Sequence, residues 1–352
     1  MSTDPRDAAI ARSVQAAADE QEFRSLVTLR AELRQARNKI ITLQRDLDLS
    51  DARLATALAL DRPISDLPDP KPPKNVKHHG AFVLLCSDWH VGERVDPEQV
   101  GGRNEYTPEI ATQRVSKLIN GARWMIEAWR DNEGYGWHMD QAVVWLGGDL
   151  MTGMIHEDLA ESNYLTPTEE VMLVHELALQ VIESIAAIKG INRVIVPCSW
   201  GNHGRDTPDR RVSTGWGRSY EWLIYQMIAK RYAGSSKVKV IAGKDEITRV
   251  RVLNSQLRFT HGDQVRYGDG VGGLTIPLRK WLAKQDQTQR ADVTFIGHHH
   301  QFLNIKDAVV NNCLIGTSPY GQRVGVHAPA SQGCCLIDEK YGNRMATEIF
   351  VQ

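Results

Sequence analysis

Cysteine is scarce in this sequence and follows no pairing pattern. There are five (Cys86, Cys198, Cys313, Cys334 and Cys335), the number is odd, and no two are spaced as CxxC. No disulfide framework is indicated, and the usage reads as reduced thiols in a cytoplasm. Long apolar runs are missing as well. No window approaches 18 uninterrupted apolar residues, and the opening MSTDPRDAAIARS lacks the apolar core of a signal peptide. A membrane span is therefore not expected. Neither sign of charge is in excess, since 42 Lys and Arg stand against 43 Asp and Glu. That balance argues against a globally basic nucleic-acid binder and leaves room only for a local basic groove. What the chain does have, over 352 residues, is 42% hydrophobic residues, enough to bury the core of one large α/β domain with an appendage.

The appendage is at the amino end. Leu26, Leu29, Leu33, Ala36, Ile40, Leu43, Leu47, Ser50, Leu54 and Ala57 recur at alternating steps of three and four. That is a heptad repeat, with Leu, Leu, Ile, Leu and Leu in one lane and Leu, Ala, Leu, Ser and Ala, a weaker set, in the other. A long amphipathic helix lying on its own domain would carry such a stripe. The regular 3.5-residue period over more than four heptads favours a coiled coil between subunits, so residues 26–57 predict a homo-oligomer. Glu32 and Arg37 would attract in a parallel pair and Asp46 and Asp51 would repel, so charge leaves the helix orientation open. The helix is expected to end at Asp61-Arg62-Pro63. Pro63, Pro68, Pro70, Pro72 and Pro73 then make an extended, semi-rigid stretch. The expected division is a helical segment 1–62, a Pro-rich linker 63–79 and one α/β domain 80–352.

Within that domain, apolar strands alternate with helical stretches near 109–130, 167–189, 213–233 and 274–288. Thr166, Pro167 and Glu169 form a capping-box signature at the start of the second. Antiparallel hairpins are expected around Asn254-Ser255 and around Tyr341-Gly342-Asn343. The strands end on polar residues. Ala81–Cys86 runs into Ser-Asp, Ala142–Leu146 into Gly-Gly-Asp, Arg193–Pro197 into Ser-Trp-Gly-Asn-His, and Val293–Ile296 into Gly-His-His-His, while Leu257–Asp263 carries a further histidine. Ligands of α/β sheets bind at the carboxyl ends of strands, so these endings converge on one edge. Pooled, they supply Asp88, His90, Asp149, Asn202, His203, His261, His298 and His300. A carboxylate, imidazole and amide set without cysteine suits borderline divalent metals such as Mn, Fe or Zn. Taken singly, each residue has an ordinary structural explanation; their joint occurrence is what argues for a site. His299, between two of them, points away if the segment is extended.

Five blocks in order, Asp88-Trp89-His90, Gly148-Asp149, Gly201-Asn202-His203, His261 and Gly297-His298-His299-His300, resemble the calcineurin-like metallophosphoesterase superfamily over roughly residues 80–300. The resemblance implies a four-layer α/β/β/α sandwich and two divalent metal ions, Mn2+ foremost, with Fe, Zn or Mg as alternatives. It implies Asp88, His90, Asp149 and His300 on the first ion, and Asp149, Asn202, His261 and His298 on the second, with Asp149 bridging. A metal-bridging hydroxide would attack phosphorus, and His203 would be the catalytic histidine outside the ligand set. Many members follow Gly-Asn-His with an acidic residue. Here Gly204-Arg205-Asp206 follows, so the partner of His203 is expected to be Asp206 or a group from elsewhere.

Cys86-Ser87-Asp88-Trp89-His90-Val91-Gly92 resembles the S-D-x-H-x-G opening of the SbcD and Mre11-like DNA-repair exonucleases, which implies a phosphodiesterase or nuclease acting on nucleic acid. The near-neutral net charge counts against that reading. A phosphomonoesterase of proteins or small molecules is the alternative, and a coiled-coil scaffold with a structural metal site is the third. Arg205, His156, Tyr320 and Arg323 are candidate substrate contacts. Gly268-Asp269-Gly270-Val271-Gly272-Gly273 follows His261-Gly262-Asp263 instead of opening the first βα turn, so it reads as a loop and not a nucleotide fingerprint.

Overall fold

The structure is a computed structural model that describes residues 5–60, 78–130, 136–268, 273–325 and 327–352. It divides into two compact units, Met1–Pro72 and Pro73–Gln352. In the first, α1 (Pro5–Leu60) is a single helix of 56 residues. Its sequence contains neither Gly nor Pro after Pro5 and is rich in Ala, Leu, Arg and Gln, so no position interrupts the helical hydrogen bonds. Along it Leu26, Leu29, Leu33, Ile40, Leu43 and Leu47 are between 50% and 72% exposed, an apolar stripe left facing water. The linker read at 63–79 lies outside the described residues as far as 77. His78 and His79 already belong to the first strand, where they pair with Trp137 and His138.

The second unit runs β1 (His78–Cys86), α2 (Pro108–Trp129), β2 (Trp137–Leu146), α3 (Glu157–Ser162), α4 (Pro167–Ala186), β3 (Arg193–Pro197), α5 (Tyr220–Arg231), β4 (Val238–Ile241), β5 (Thr248–Val252), β6 (Ser255–Phe259), α6 (Thr275–Asp286), β7 (Val293–Ile296), β8 (Leu303–Asn304), β9 (Ala308–Val310), α7 (Pro319–Val324), β10 (Ser331–Asp338) and β11 (Gly342–Phe350). Among the described residues, one sheet has the order β11-β10-β1-β2-β3-β4 and the other β5-β6-β7-β9-β8. β1 to β4 are mutually parallel, as are β6, β7 and β9; the remaining neighbours are antiparallel.

Period-two alternation along β1 sorts its side chains to two faces. Phe82, Leu84 and Cys86 enter a core shared with α2, α4 and α5, among them Leu118, Val181 and Ile224. Ala81, Val83 and Leu85 enter a second core against Val250, Leu257, Phe259 and Phe295 of the other sheet. Leu278 and Leu282 of α6 cover that sheet's outer face at Ile296, Ala308 and Val310. The layers are therefore α/β/β/α, the sandwich expected of the metallophosphoesterase fold.

The capping box at Thr166 and Glu169 is formed, each side chain reaching the other's backbone N–H. Three boundaries differ from expectation. The second hairpin turns at residues 339–341, since Asp338 pairs with Gly342 and Ile337 with Asn343. The stretch near 213–233 becomes a helix only at Tyr220, because Ser219 caps it by accepting from the Trp222 N–H, and a short 3-10 turn, Gly215–Arg218, precedes it. The first hairpin turns at Leu253-Asn254 instead of Asn254-Ser255, since Val252 pairs with Ser255 and Leu253 takes the left-handed conformation (φ 52°). The glycine-rich loop lies, at 269–272, outside the described residues.

Candidate metal centre

Five of the parallel strands, β1, β2, β3, β6 and β7, deliver polar residues at their carboxyl ends, and hydrogen bonds between the loops draw them together. The Asp88 N–H donates to Gly148 O at 2.9 Å, and the His90 N–H to Asp149 O at 3.1 Å, joining the loops after β1 and β2. The His298 N–H donates to Asp88 Oδ1 at 2.9 Å, tying in the loop after β7. His261, after β6, has its Nδ1 at 2.8 Å from Gly147 O. The His203 N–H donates to Asp149 Oδ1 at 2.7 Å.

Two groups result. Asp88, His90 and His300 have one potential ligand atom each within 4.8 Å of one another, and so have Asp149, His261 and His298. Asp88, His90, Asp149 and His261 are at most 2% exposed. The backbone is strained to achieve this. Asp88, His90, Asp149, His298 and His300 all take positive φ, between 49° and 68°. Non-glycine residues rarely adopt that region, and its concentration in five residues of one cluster marks a site where geometry is bought at the expense of local stability. Glycine permits the closest approaches. A Cβ on Gly201 would overlap the Asp149 carboxylate, and one on Gly297 would overlap that of Asp88.

The chain's own contacts leave the cluster unsatisfied. His90 Nδ1, Asn202 Oδ1 and His261 Nε2 are buried without a hydrogen-bond partner. His90 Nε2 stands 3.2 Å from His300 Nε2, and His300 Nε2 is 3.4 Å from Asp88 Oδ1. Two imidazole nitrogens that each lie about 2.0–2.1 Å from a common zinc-like ion are separated by roughly this distance. His261 Nε2 lies 2.9 Å from Asp149 Oδ2 without hydrogen-bond alignment.

The electrostatics point the same way. Burial, followed by the charges of His203 and His300, holds His90 well below the usual imidazole range. His298 falls to about 2, through burial first and His261 next. Neutral imidazoles are the form that binds a metal. Burial also pushes His261 down, but the Asp149 carboxylate outweighs it and raises the group to about 10. Positive charge is thus favoured between Asp149 and His261, a demand that a divalent cation meets. Donor types, orphaned atoms and charge all fit a pair of cations held by these residues.

His203 stands apart from both groups. Its Nδ1 is 2.9 Å from Thr152 O, and its ring meets that of His90 edge-on at 4.7 Å between centroids. The carboxylate expected to orient it is elsewhere, since Asp206 pairs with Arg218 at 3.0 Å. A backbone carbonyl, that of Thr152 in the loop after β2, takes that place.

The four candidate substrate contacts separate. The His156 ring lies 6.0 Å from that of His203, beside the cluster. Arg205 donates to Asn202 O, Thr207 O and Pro208 O at 2.6, 3.0 and 2.9 Å, so its guanidinium braces its own loop through three of its five N–H groups. Tyr320 is 71% exposed on α7, and Arg323 is exposed beside it. Among the described residues, the hydrogen bonds and ring contacts that assemble the cluster include neither.

Two buried carboxylates were not visible in the sequence. Glu221, in the first turn of α5, accepts from the Leu150 N–H at 2.6 Å and the Gly201 N–H at 2.7 Å. Burial, then Asp149, raises it to about 7. Glu170 on α4 accepts from the Gly153 N–H at 2.9 Å. Both hold the loop after β2 in place from below. The only sequence signal is a Glu set at core-facing helical positions, which pattern reading takes for a surface charge.

No protein-family model matches this chain, and no curated protein does. Solved structures give loose matches. Vps29 from Entamoeba histolytica, complexed with Zn2+, is 12% identical, with 77% of this chain and 99% of that one covered and a TM-score of 0.30. A predicted phosphoesterase from Streptococcus pneumoniae is 10% identical over 76% of this chain and 97% of that one, at 0.29. A dimetal phosphatase from Danio rerio is 9% identical over 77% and 99%, at 0.34. Likenesses of this size leave the chemistry to be read from the chain's own side chains.

Proposed function

We propose that this chain is a metal-dependent phosphoesterase of the calcineurin-like type. The observation that carries the reading is the pair of adjoining His/Asp groups at the strand ends with His203 beside them. Asp88, His90 and His300 would hold one divalent cation and His261, His298 and Asn202 a second, with Asp149 shared. The chemistry that cations supply there is activation of water and neutralisation of charge on the phosphoryl oxygens. The chain's own residues do the rest. Asp149 is fixed by the His203 N–H, and Asp88 by the His298 N–H and by Ser87 Oγ at 2.5 Å, so neither carboxylate is free to rotate away. His203 keeps a hydrogen on Nδ1 for the Thr152 carbonyl, which leaves Nε2 to hold or move a proton at the ester's leaving oxygen. Fixed groups of this kind lose no freedom as the reaction proceeds.

For the substrate we propose a phosphodiester of nucleic acid, supported by the Ser87–Gly92 block. The test is hydrolysis, with Mn2+ present, of single- and double-stranded DNA, bis-p-nitrophenyl phosphate and p-nitrophenyl phosphate. Diesters and DNA should be cleaved in preference. Monoesters hydrolysed far faster, with DNA intact across several metals, would replace the nuclease reading with a phosphatase. No hydrolysis of any of the four would remove the enzyme reading itself.

A further inference from the structure

At the far end of the six-stranded sheet lies a second constellation, which the phosphoesterase reading does not use. We infer that His79, His138 and Asp140 form a separate divalent-cation site, suited to Zn2+, that staples the amino ends of β1 and β2.

β1 and β2 are parallel, so their amino ends adjoin, and His79 pairs directly with His138. Between that pair and the next, Ala81 with Gln141, one residue of β1 (Gly80) faces two of β2 (Met139 and Asp140). Such a bulge re-aims side chains. Met139 turns into the core at 3% exposure, while His138 and Asp140 on either side of it are left accessible. The potential ligand atoms of His79, His138 and Asp140 all lie within 4.8 Å of one another. His79 Nε2 is 3.1 Å from Asp140 Oδ1, and the two imidazoles are 5.5 Å apart between centroids.

The other nitrogen of His79 also has a carboxylate near it. Nδ1 is 3.7 Å from Glu339 Oε1, an ion-pair separation longer than a hydrogen bond, and Glu339 is anchored there because its N–H donates to His79 O at 2.9 Å. A histidine that ligates through one nitrogen commonly has its other N–H held by a carboxylate, which fixes the ring and raises its basicity. A simple ion pair between His79 and Asp140 would account for those two residues. It does not account for His138, whose potential ligand atom lies within 4.8 Å of both. Two imidazoles, one carboxylate and an open position describe a Zn2+ site better than a Mg2+ or Ca2+ one. Seven residue-to-residue steps of strand, about 23 Å at 3.3 Å each, separate His79 from Cys86 at the other end of β1, so the two centres load independently.

The test is Zn2+ content after equilibrium dialysis of the full chain, with affinity from competition against a chromophoric chelator. His138→Ala and Asp140→Asn should each lose one Zn2+ equivalent, and His138 is exposed, so its loss leaves the core intact. Glu339→Gln should keep that equivalent but bind it about 10–100-fold more weakly. Hydrolysis of a small diester should be unchanged in all three. Exposed His327 is the control, and His327→Ala should match the parent chain. Unaltered Zn2+ content and affinity in His138→Ala would reduce the cluster to an ion pair. An equal loss in His327→Ala would mean unspecific capture by surface histidines. The Asp149→Asn chain separates this site from the other, because the equivalent lost with His138 should persist there whatever becomes of the phosphoesterase centre.

Discussion

His203 and Asp149 touch through a single hydrogen bond, yet substitution should separate them cleanly. His203 contributes its side chain to neither His/Asp group, and its imidazole is held by the Thr152 carbonyl. His203→Ala should therefore retain both metal equivalents while the rate on a chromogenic diester falls about 10²–10⁴-fold, the usual worth of one positioned acid or base. Asp149→Asn removes charge from the middle of the cluster, beside a His261 whose pKa depends on it. Metal and activity should then be lost together, as measured by metal analysis and turnover on the same samples. Loss of metal in His203→Ala would make that residue a ligand. Glu221 belongs to the same scale, although it acts through others. Its carboxylate satisfies two buried N–H groups, and each left unpaired costs about 1–3 kcal/mol. Glu221→Leu should lower the urea midpoint and loosen metal binding, whereas Glu221→Gln, which keeps one carbonyl oxygen as an acceptor, should recover part of both.

At the scale of elements, legibility followed periodicity. The strands leading to Asp88, Asp149, Asn202, His261 and His298 could be read because each is an apolar run with a polar end, and α4 because Thr166, Pro167 and Glu169 announce it. What escaped was set by pairing across space. The apolar runs begin only at Ala81 and Ala142, so His78, His79, His138 and Asp140 fall outside the strands that periodicity announces; His78 and His79 are strand because they pair with Trp137 and His138, and Asp140 follows in the bulge. Thr152 escaped because the group that matters is its carbonyl, about which the side chain is silent. Arg205, a candidate substrate contact in the sequence, also donates to three carbonyls of its own loop, which no side-chain pattern announces. Strain gives a sharper criterion. Outside the cluster, Leu253 and Lys306 also take positive φ. Lys306 is an exposed turn residue between β8 and β9 whose conformation serves no contact of its side chain with the centre. Lys306→Asn should raise stability by up to about 1 kcal/mol, since left-handed backbone costs other residues roughly 1–2 kcal/mol and Asn less. Denaturant unfolding reads the gain, and activity should not change; at His90 or His298 the same relief would come with loss of metal.

At the scale of the whole molecule, the feature left unaccounted for by a hydrolytic centre is α1. It presents Leu26, Leu33, Ile40 and Leu47 in one heptad lane, each at least half exposed. A stripe of this kind in water is unfavourable by about 25 cal/mol per Å² of apolar surface, and pairing with a second copy of the same helix removes it. We propose such pairing, with the 3.5-residue period and the leucine-rich lane as its support. Replacing Leu33, Ile40 and Leu47 by Glu keeps helix propensity high but places three charges in the seam. The mass by light scattering should then fall to that of one chain, and deletion of residues 1–62 should do the same. All the residues of the two His/Asp groups and His203 belong to the unit Pro73–Gln352, so turnover on a small diester should survive both changes. Cleavage of long DNA should drop if two centres grip one strand, and this separates a role in substrate handling from one in assembly alone. Equal masses for the parent chain and the Glu variant would leave the stripe to some other partner and end the case for a homo-oligomer through residues 26–57.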